Sequence, residues 1–332
     1  MVLLLGATGY LGQAFAAELT KRQLAFVPLS RAQLDYTRLT LLFNCIRTVK
    51  PVFIINAAGY TGRPNIDACE SARAETVRAN TLLPQTVARA CYLTKTPWGH
   101  VSSGCIYSGA RVAQNGGFQI ERNINRPEIR RLLETQPERF RGFTESDAPN
   151  FSFRSPPCSF YSGAKALAEE ALGWFDQTYI WRPRVVFDEF DHPRNLLSRI
   201  QRSPKARDNV NSLTHRGDFV RACLDLWERS APFGAYNIAN PGAVTGRQIV
   251  ESIVRIRKPG RQFEFWRDDE EFYRLAAKAP RSDCLLDISK LLSTGVQIRP
   301  VQEAINASLE NWQLLPQSQP WDEAYQKLAP LK

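Results

Sequence analysis

Residues Met1-Val2-Leu3-Leu4-Leu5-Gly6-Ala7-Thr8-Gly9-Tyr10-Leu11-Gly12 decide the fold. An apolar run of strand length breaks into a glycine turn, and Gln13 to Arg22 continues with helical spacing. This is the context a dinucleotide fingerprint requires. Glycines let the backbone approach a pyrophosphate, and the helix start offers it unpaired N–H groups and a positive dipole end. The spacing is G-x-x-G-x-x-G rather than G-x-G-x-x-G, and an ordinary strand-to-helix loop is the alternative reading. Gly6, Thr8, Gly9, Tyr10, Leu11 and Gly12 are the candidate cofactor-binding residues of the turn.

Outward from the turn, strand and helix patterns alternate. Leu24 to Leu29 reads as a strand, Leu39 to Thr48 as a helix, Pro51 to Asn56 as a strand and Ala72 to Thr94 as a long helical stretch. His100 to Ser102 lies in a strand that ends at the serine. The expected fold class is α/β, a Rossmann-type doubly wound parallel sheet with a smaller C-terminal substrate-binding lobe. Ligands then bind at the carboxyl ends of the strands, where Gly6, Asn56 and Ser103 fall. The expected domains are residues 1–187 for the sheet, completed by about 235–257, with 188–234 and 258–332 as the lobe. Tyr179 to Phe187 and Tyr236 to Asn240 read as strands, and Gly246 to Arg257 and Val301 to Leu314 as helices. Residues 111–141, with seven Arg and four Glu, read as an insertion near the active site, helical from Pro127 to Glu134.

Two short motifs carry chemistry: Ser103-Gly104-Cys105-Ile106-Tyr107 and Tyr161-Ser162-Gly163-Ala164-Lys165. A Tyr with a Lys one helical turn later puts both on one helix face. A nearby ammonium favours the phenolate and so tunes the phenol for proton transfer. Cys105 sits two residues beyond Ser103, so on a strand end both would face one pocket.

Composition excludes several classes. The 332 residues are 43% hydrophobic and 23% charged, ordinary for a globular protein, and no apolar stretch reaches membrane-span length. A soluble, cytoplasmic protein is expected. The net charge of +10 comes from dispersed Lys and Arg with no basic tail, which argues for a solvated surface and anionic ligands over nucleic acid. Seven scattered cysteines (45, 69, 91, 105, 158, 223 and 284) argue for reduced thiols, and three scattered histidines for no metal site.

With Asn56-Ala57-Ala58-Gly59, Asn80, Trp181-Arg182-Pro183, Tyr236 to Gly242 and Ala279-Pro280-Arg281-Ser282 added in order, the chain resembles the extended short-chain dehydrogenase/reductases of nucleotide sugars. The resemblance covers nearly the whole length. Thr61 to Asp67, Cys69-Glu70, Gly104-Cys105-Ile106, Pro149-Asn150-Phe151, Ser159 to Ser162 and Pro193-Arg194-Asn195 are similar to the bifunctional 3,5-epimerase/4-reductases that make UDP-rhamnose. The dTDP-4-dehydrorhamnose reductases are more distant. The resemblance implies a nucleotide 4-keto-6-deoxy sugar as substrate, reduced at C4 to a nucleotide-linked deoxyhexose such as UDP- or dTDP-rhamnose. It implies that Tyr161 donates the proton, Ser103 holds the same oxygen, and Lys165 tunes Tyr161 and holds the cofactor ribose. It makes Cys105 the base that removes the acidic C3 and C5 protons. Asn56, Ala57 and Ala58 join the cofactor residues, and Thr61, Arg63, Asn65, Arg194, Asn195, Arg199 and Arg281 are the implied substrate residues.

Arg199 stands where those enzymes have a lysine as partner acid, and an arginine does not readily release a proton. Either another group, such as His192, reprotonates the sugar or only reduction remains. For the cofactor, Ser30-Arg31 at the second strand's end suits a 2′-phosphate and favours NADP(H) over NAD(H), with Asp35 as an alternative ribose contact. Two rival readings are a nucleotide-sugar 4-epimerase and a non-catalytic reductase-like regulatory or binding subunit. A 4,6-dehydratase is disfavoured because Gly104 and Cys105 stand where acidic residues would be needed. The family's usual homodimer would use the helix around Thr86 to Leu93 and a seam of Ala166, Leu167, Ala171 and Leu172.

Overall fold

Val2–Leu5 is wholly buried because both of its faces are covered. Val2 and Leu4 point to a layer with Phe15, Leu19 and Phe219, whereas Leu3 and Leu5 point to one with Leu42, Ile46 and Val87. The computed structural model describes residues 1–114 and 116–314. Its main strands are β1 (Val2–Leu5), β2 (Phe26–Leu29), β3 (Phe53–Asn56), β4 (Trp98–Val101), β5 (Thr178–Pro183) and β6 (Gly234–Ile238). They lie in the order β6-β5-β4-β3-β1-β2, and every neighbouring pair is parallel. The chain leaves β1 toward β2 on one side and returns as β3 on the other, so a crevice opens beyond Leu5 and Asn56.

The main helices are α1 (Tyr10–Lys21), α2 (Leu39–Val49), α3 (Leu83–Thr94), α4 (Phe160–Leu172), α5 (Arg216–Glu228), α6 (Gly246–Arg257) and α7 (Val301–Glu310). α1 and α5 cover one sheet face, and α2, α3 and α4 the other. The helix expected over Ala72 to Thr94 is realised as Arg73–Val77 and α3, joined by the π-helical turn Arg78–Leu82 that carries Asn80.

Two domain boundaries differ from the sequence reading. α5, expected in the lobe, supplies Phe219, Val220 and Leu224 to the sheet core. α6, expected to complete the sheet, packs through Ile249 and Ile253 on Val301, Ile305 and Leu309 of α7. β6 is an edge strand, and among the described residues no later strand joins this sheet, so the next helix need not return to it. α7 stops at Glu310, and Gln313–Leu314 pairs in parallel with Phe190–Asp191. The expected lobe residues 315–332 lie outside the described residues.

The insertion is folded. Ala110–Gln114 pairs antiparallel with Gly117–Glu121 and with Phe140–Arg141, and Pro127–Thr135 is a helix. Ala110, Val112, Ile124 and Phe140 close a small core on Val210 and Leu285, which makes the insertion an extension of the lobe. Of the expected dimer seam, Ala166 and Leu172 are buried within the protein, while Leu167 is exposed. Among the described residues no helix is long and apolar enough to cross a membrane.

Candidate active site

At the crevice, Gly6 has φ +75°, and a Cβ there would lie 2.6 Å from the Ala58 nitrogen. At Gly12 a Cβ would lie 2.0 Å from the Gly6 carbonyl oxygen. These two positions therefore require glycine for close approach. Asn56 holds the opposite wall: its Oδ1 accepts the Ala58 N–H at 3.1 Å, and its Nδ2 lies 3.2 Å from His100 Nδ1. Gly9 caps α1 without a side-chain hydrogen bond, and no acidic residue lies in the first turn. The helix start thus presents unpaired N–H groups and positive potential to the crevice, which fits a dinucleotide pyrophosphate.

Ser103 and Cys105 reach the site differently from the expectation. β4 ends at Val101, and Gly104–Ile106 forms a 3-10 turn, so Cys105 is not on a strand. Ser103 caps this turn by accepting the Cys105 N–H on Oγ at 3.1 Å, which leaves its own O–H to donate to the neighbouring Tyr161 or to a ligand. On the facing helix, Ser159 caps α4 by accepting the Ser162 N–H at 3.1 Å, and Glu70 accepts the Phe160 N–H at 2.8 Å. These contacts fix the first turn that carries Tyr161.

Tyr161 is buried, and burial foremost, with Cys105 adding, pushes its phenol well above the ordinary value despite a hydrogen bond with Ser103. The resting side chain is therefore the protonated phenol. Lys165 Nζ donates to the Val101 carbonyl at 3.0 Å. Burial brings the Lys165 ammonium down to about 8, against the opposing pull of Glu169 and Cys105. An added Cβ on Gly59 would lie 3.1 Å from Asn80 Oδ1 and 3.6 Å from Lys165 Nζ, so these groups share one corner.

Below Lys165 lies a polar layer that the motifs did not reveal. Glu169 accepts from Arg182 through Nε at 2.9 Å and Nη2 at 2.6 Å, and also from the Ser102 hydroxyl. Arg182 Nη1 reaches the Tyr107 hydroxyl at 3.0 Å. The available signal was helical spacing, since Glu169 follows Lys165 by one turn. Arg184, which gave no local signal, donates through Nη1 to Cys105 Sγ at 3.2 Å.

The implied substrate residues separate into two groups. Arg194 donates to the Gly62 carbonyl at 2.6 Å and more weakly to that of Thr61 at 3.4 Å. Asn65 Oδ1 accepts the Asp67 N–H at 2.8 Å, and Arg281 grips Asp67 in a fork at 2.7 and 2.9 Å. Asn195 is buried and bonded to Asp188, Phe190 and Leu197, so it shapes the loop and does not face the cleft. Arg63 and Arg199, by contrast, are exposed, and neither guanidinium has a protein hydrogen bond among the described residues. Desolvation, outweighing the favourable Tyr10, and then Arg281 and Arg194, lower the Arg199 pKa, as fits a cation in a concave, arginine-rich site.

His192 is a poor partner acid. Its Nδ1 accepts the Arg194 N–H at 2.9 Å and its ring stacks on Tyr10 at 4.6 Å. Burial, then Arg216, Arg194 and Arg202, bring it down to about 4, so it is neutral at physiological pH. At the cofactor-selecting corner, Ser30 is engaged by Gln33 and Asp35 by Thr37. Arg31 is 59% exposed, with Glu75 3.5 Å away, and is the group there available to an anion.

Residues 1–314 match the family described as RmlD substrate binding domain. The chain is 30% identical over 304 residues to the Arabidopsis thaliana trifunctional UDP-glucose 4,6-dehydratase/UDP-4-keto-6-deoxy-D-glucose 3,5-epimerase/UDP-4-keto-L-rhamnose-reductase, which covers 91% of this chain but 41% of that relative. It thus spans about two fifths of that relative's length. It is also 30% identical over 261 residues to the Arabidopsis thaliana bifunctional dTDP-4-dehydrorhamnose 3,5-epimerase/dTDP-4-dehydrorhamnose reductase, covering 78% of this chain and 77% of the other. A crystal structure of a UDP-rhamnose synthase from Acanthamoeba polyphaga mimivirus superposes with TM-score 0.78 at 24% identity, over 93% of this chain and 98% of that one, and so shares the fold. By its sequence match and its architecture, the chain belongs to the RmlD substrate-binding-domain family.

Proposed function

We propose that the chain is an NADPH-dependent reductase of a nucleotide-linked 4-keto-6-deoxy sugar, with 3,5-epimerisation preceding reduction. The observation that carries this reading is the meeting of Ser103, Cys105, Tyr161 and Lys165 beside the glycine crevice. The relatives' activities point the same way. Bound NADPH supplies the hydride. Gly6, Gly9 and Gly12 with the start of α1 would hold its pyrophosphate, and Arg31 its 2′-phosphate.

The residues divide the work by protonation state. Cys105, as thiolate, removes the proton from C3 or C5, the electron pair moves into the C4 carbonyl, and solvent water reprotonates the carbon on the opposite face, its hydroxide taking back the proton from the Cys105 thiol. Protonated Tyr161 delivers its proton to the C4 oxygen during reduction, while the Ser103 O–H donates to the same oxygen. Arg63 and Arg199 are the cations left to meet the nucleotide diphosphate or the enolate charge. Arg199 keeps its proton, so its role in this reading is electrostatic.

The test is incubation with NADPH and a panel of UDP-, dTDP- and GDP-linked 4-keto-6-deoxy sugars, with product analysis. Consumption of NADPH with a deoxyhexose product from a UDP or dTDP substrate is expected. No consumption with any member of the panel would overturn the assignment.

A further inference from the structure

We propose that Arg184 is the positioning partner of Cys105, a buried guanidinium that holds the sulfur in place and stabilises it as thiolate. This rests on the reading of Cys105 as the epimerisation base. Arg184 follows β5 and is 2% exposed. Its backbone N–H donates to Thr214 Oγ1 at 2.7 Å, and its Nη2 donates to Asn211 Oδ1 at 2.6 Å and to the Ser282 carbonyl. The remaining anchored arm, Nη1, lies 3.2 Å from Cys105 Sγ.

A buried cation is costly unless an anion faces it. Among the described residues Arg184 has no carboxylate at ion-pair distance, and Asp283 is instead paired with Arg207 at 2.7 Å. Burial disfavours the Arg184 charge, yet Cys284, Cys105 and Asp283 outweigh it and hold the guanidinium protonated. Of the two nearby thiols, Cys284 is buried, its Sγ 3.6 Å from the Gly104 carbonyl, and desolvation pushes it up to about 11, so it remains a thiol. Cys105 is half-buried at the cleft and is the sulfur that can carry the matching negative charge.

The other charged and titratable groups around Cys105 are Tyr161 and Lys165 from α4, Arg199 from the helix Leu196–Arg202, and Cys284. Among the described side chains, only Arg184 donates a hydrogen bond to the sulfur. Such a charge-assisted contact favours thiolate over thiol. In the step itself the sugar C–H bond breaks, an S–H bond forms, and the electron pair passes to the carbonyl. Arg184 keeps all of its protons throughout.

The test is alkylation of the intact protein by iodoacetamide, followed at Cys105 by peptide mapping. At about pH 7, Arg184→Gln should react about ten-fold more slowly than wild type, and the two should converge near pH 10, above the ordinary thiol range. Arg184→Lys should recover part of the neutral-pH rate. Equal rates at neutral pH, or a deficit unchanged at high pH, would overturn the proposal. Should the Arg184 variants not fold, the wild-type protein still decides: its thiolate ultraviolet absorbance near pH 7 should exceed that of Cys105→Ser, and no difference would refute it. Deuterium exchange into the sugar by Cys105→Ser tests the base assignment separately, because the alkylation contrast does not depend on it.

Discussion

At rest the Tyr161 phenol is protonated, because burial outweighs the hydrogen bond with Ser103, so in the proposed reaction it acts as an acid. Removing that proton source in Tyr161→Phe should leave NADPH affinity near wild type and lower turnover by about two or more orders of magnitude, measured by NADPH oxidation. Lys165 sets an alkaline limit. Its folded value of about 8 lies below 10.5, so it is charged below about pH 8 and neutral above it. Reduction should therefore fall along a limb near pH 8, and a flat profile to pH 10 would remove Lys165 from the proton path. Between those values the folded state binds fewer protons than the unfolded chain, so this residue's contribution to stability rises with pH. The Ser103–Cys105 and Tyr161–Lys165 pairs were legible as motifs because each spans only a few positions. Arg184 was not, because residues 79 positions apart meet only through the order of β4 and β5.

At the scale of elements, the glycine turn and α1 were readable because their steric demand is written in the residues that meet it. Gly12→Ala would drive a methyl to 2.0 Å from the Gly6 oxygen. A loss of about 1–3 kcal/mol in denaturant unfolding is expected, with weaker NADPH binding. The end of β2 should set cofactor choice: Arg31→Ala should weaken NADPH far more than NADH, since only NADPH offers a phosphate to the guanidinium. Glu75, 3.5 Å from both Arg31 and Arg78, competes with that phosphate. Glu75→Gln should therefore tighten NADPH with little change for NADH, as titration of cofactor fluorescence would reveal. The roles of α5 and α6 were interchanged in the sequence reading because both are amphipathic and their partners, α1 and α7, are distant in the chain.

For the whole molecule, the cleft is bounded by ties between the sheet domain and the lobe. Arg281 and the Ala279 N–H hold Asp67 in the loop beyond β3, and Arg194 holds the Gly62 carbonyl. Burial alone would raise the Asp67 carboxyl, but Arg281 and the Ala279 and Lys278 N–H groups hold it below the ordinary 3.8. The tie is thus intact at neutral pH, and its stabilisation is lost as pH falls below about 4. Asp67→Asn should lower stability by about 1–3 kcal/mol, seen as a melting shift of a few degrees, and should raise KM more than it lowers kcat. The resemblance made Arg281 a substrate residue; its engagement by Asp67 was not readable in sequence, because the two lie 214 positions apart.

If this cleft epimerises and then reduces one sugar, the product formed in deuterium oxide must carry the record of both steps. With NADPH and UDP-4-keto-6-deoxyglucose, nuclear magnetic resonance of the product should show an inverted, reduced sugar with deuterium at C3 and C5. NADPH left unconsumed, or a reduced sugar carrying no deuterium at either carbon, would contradict it.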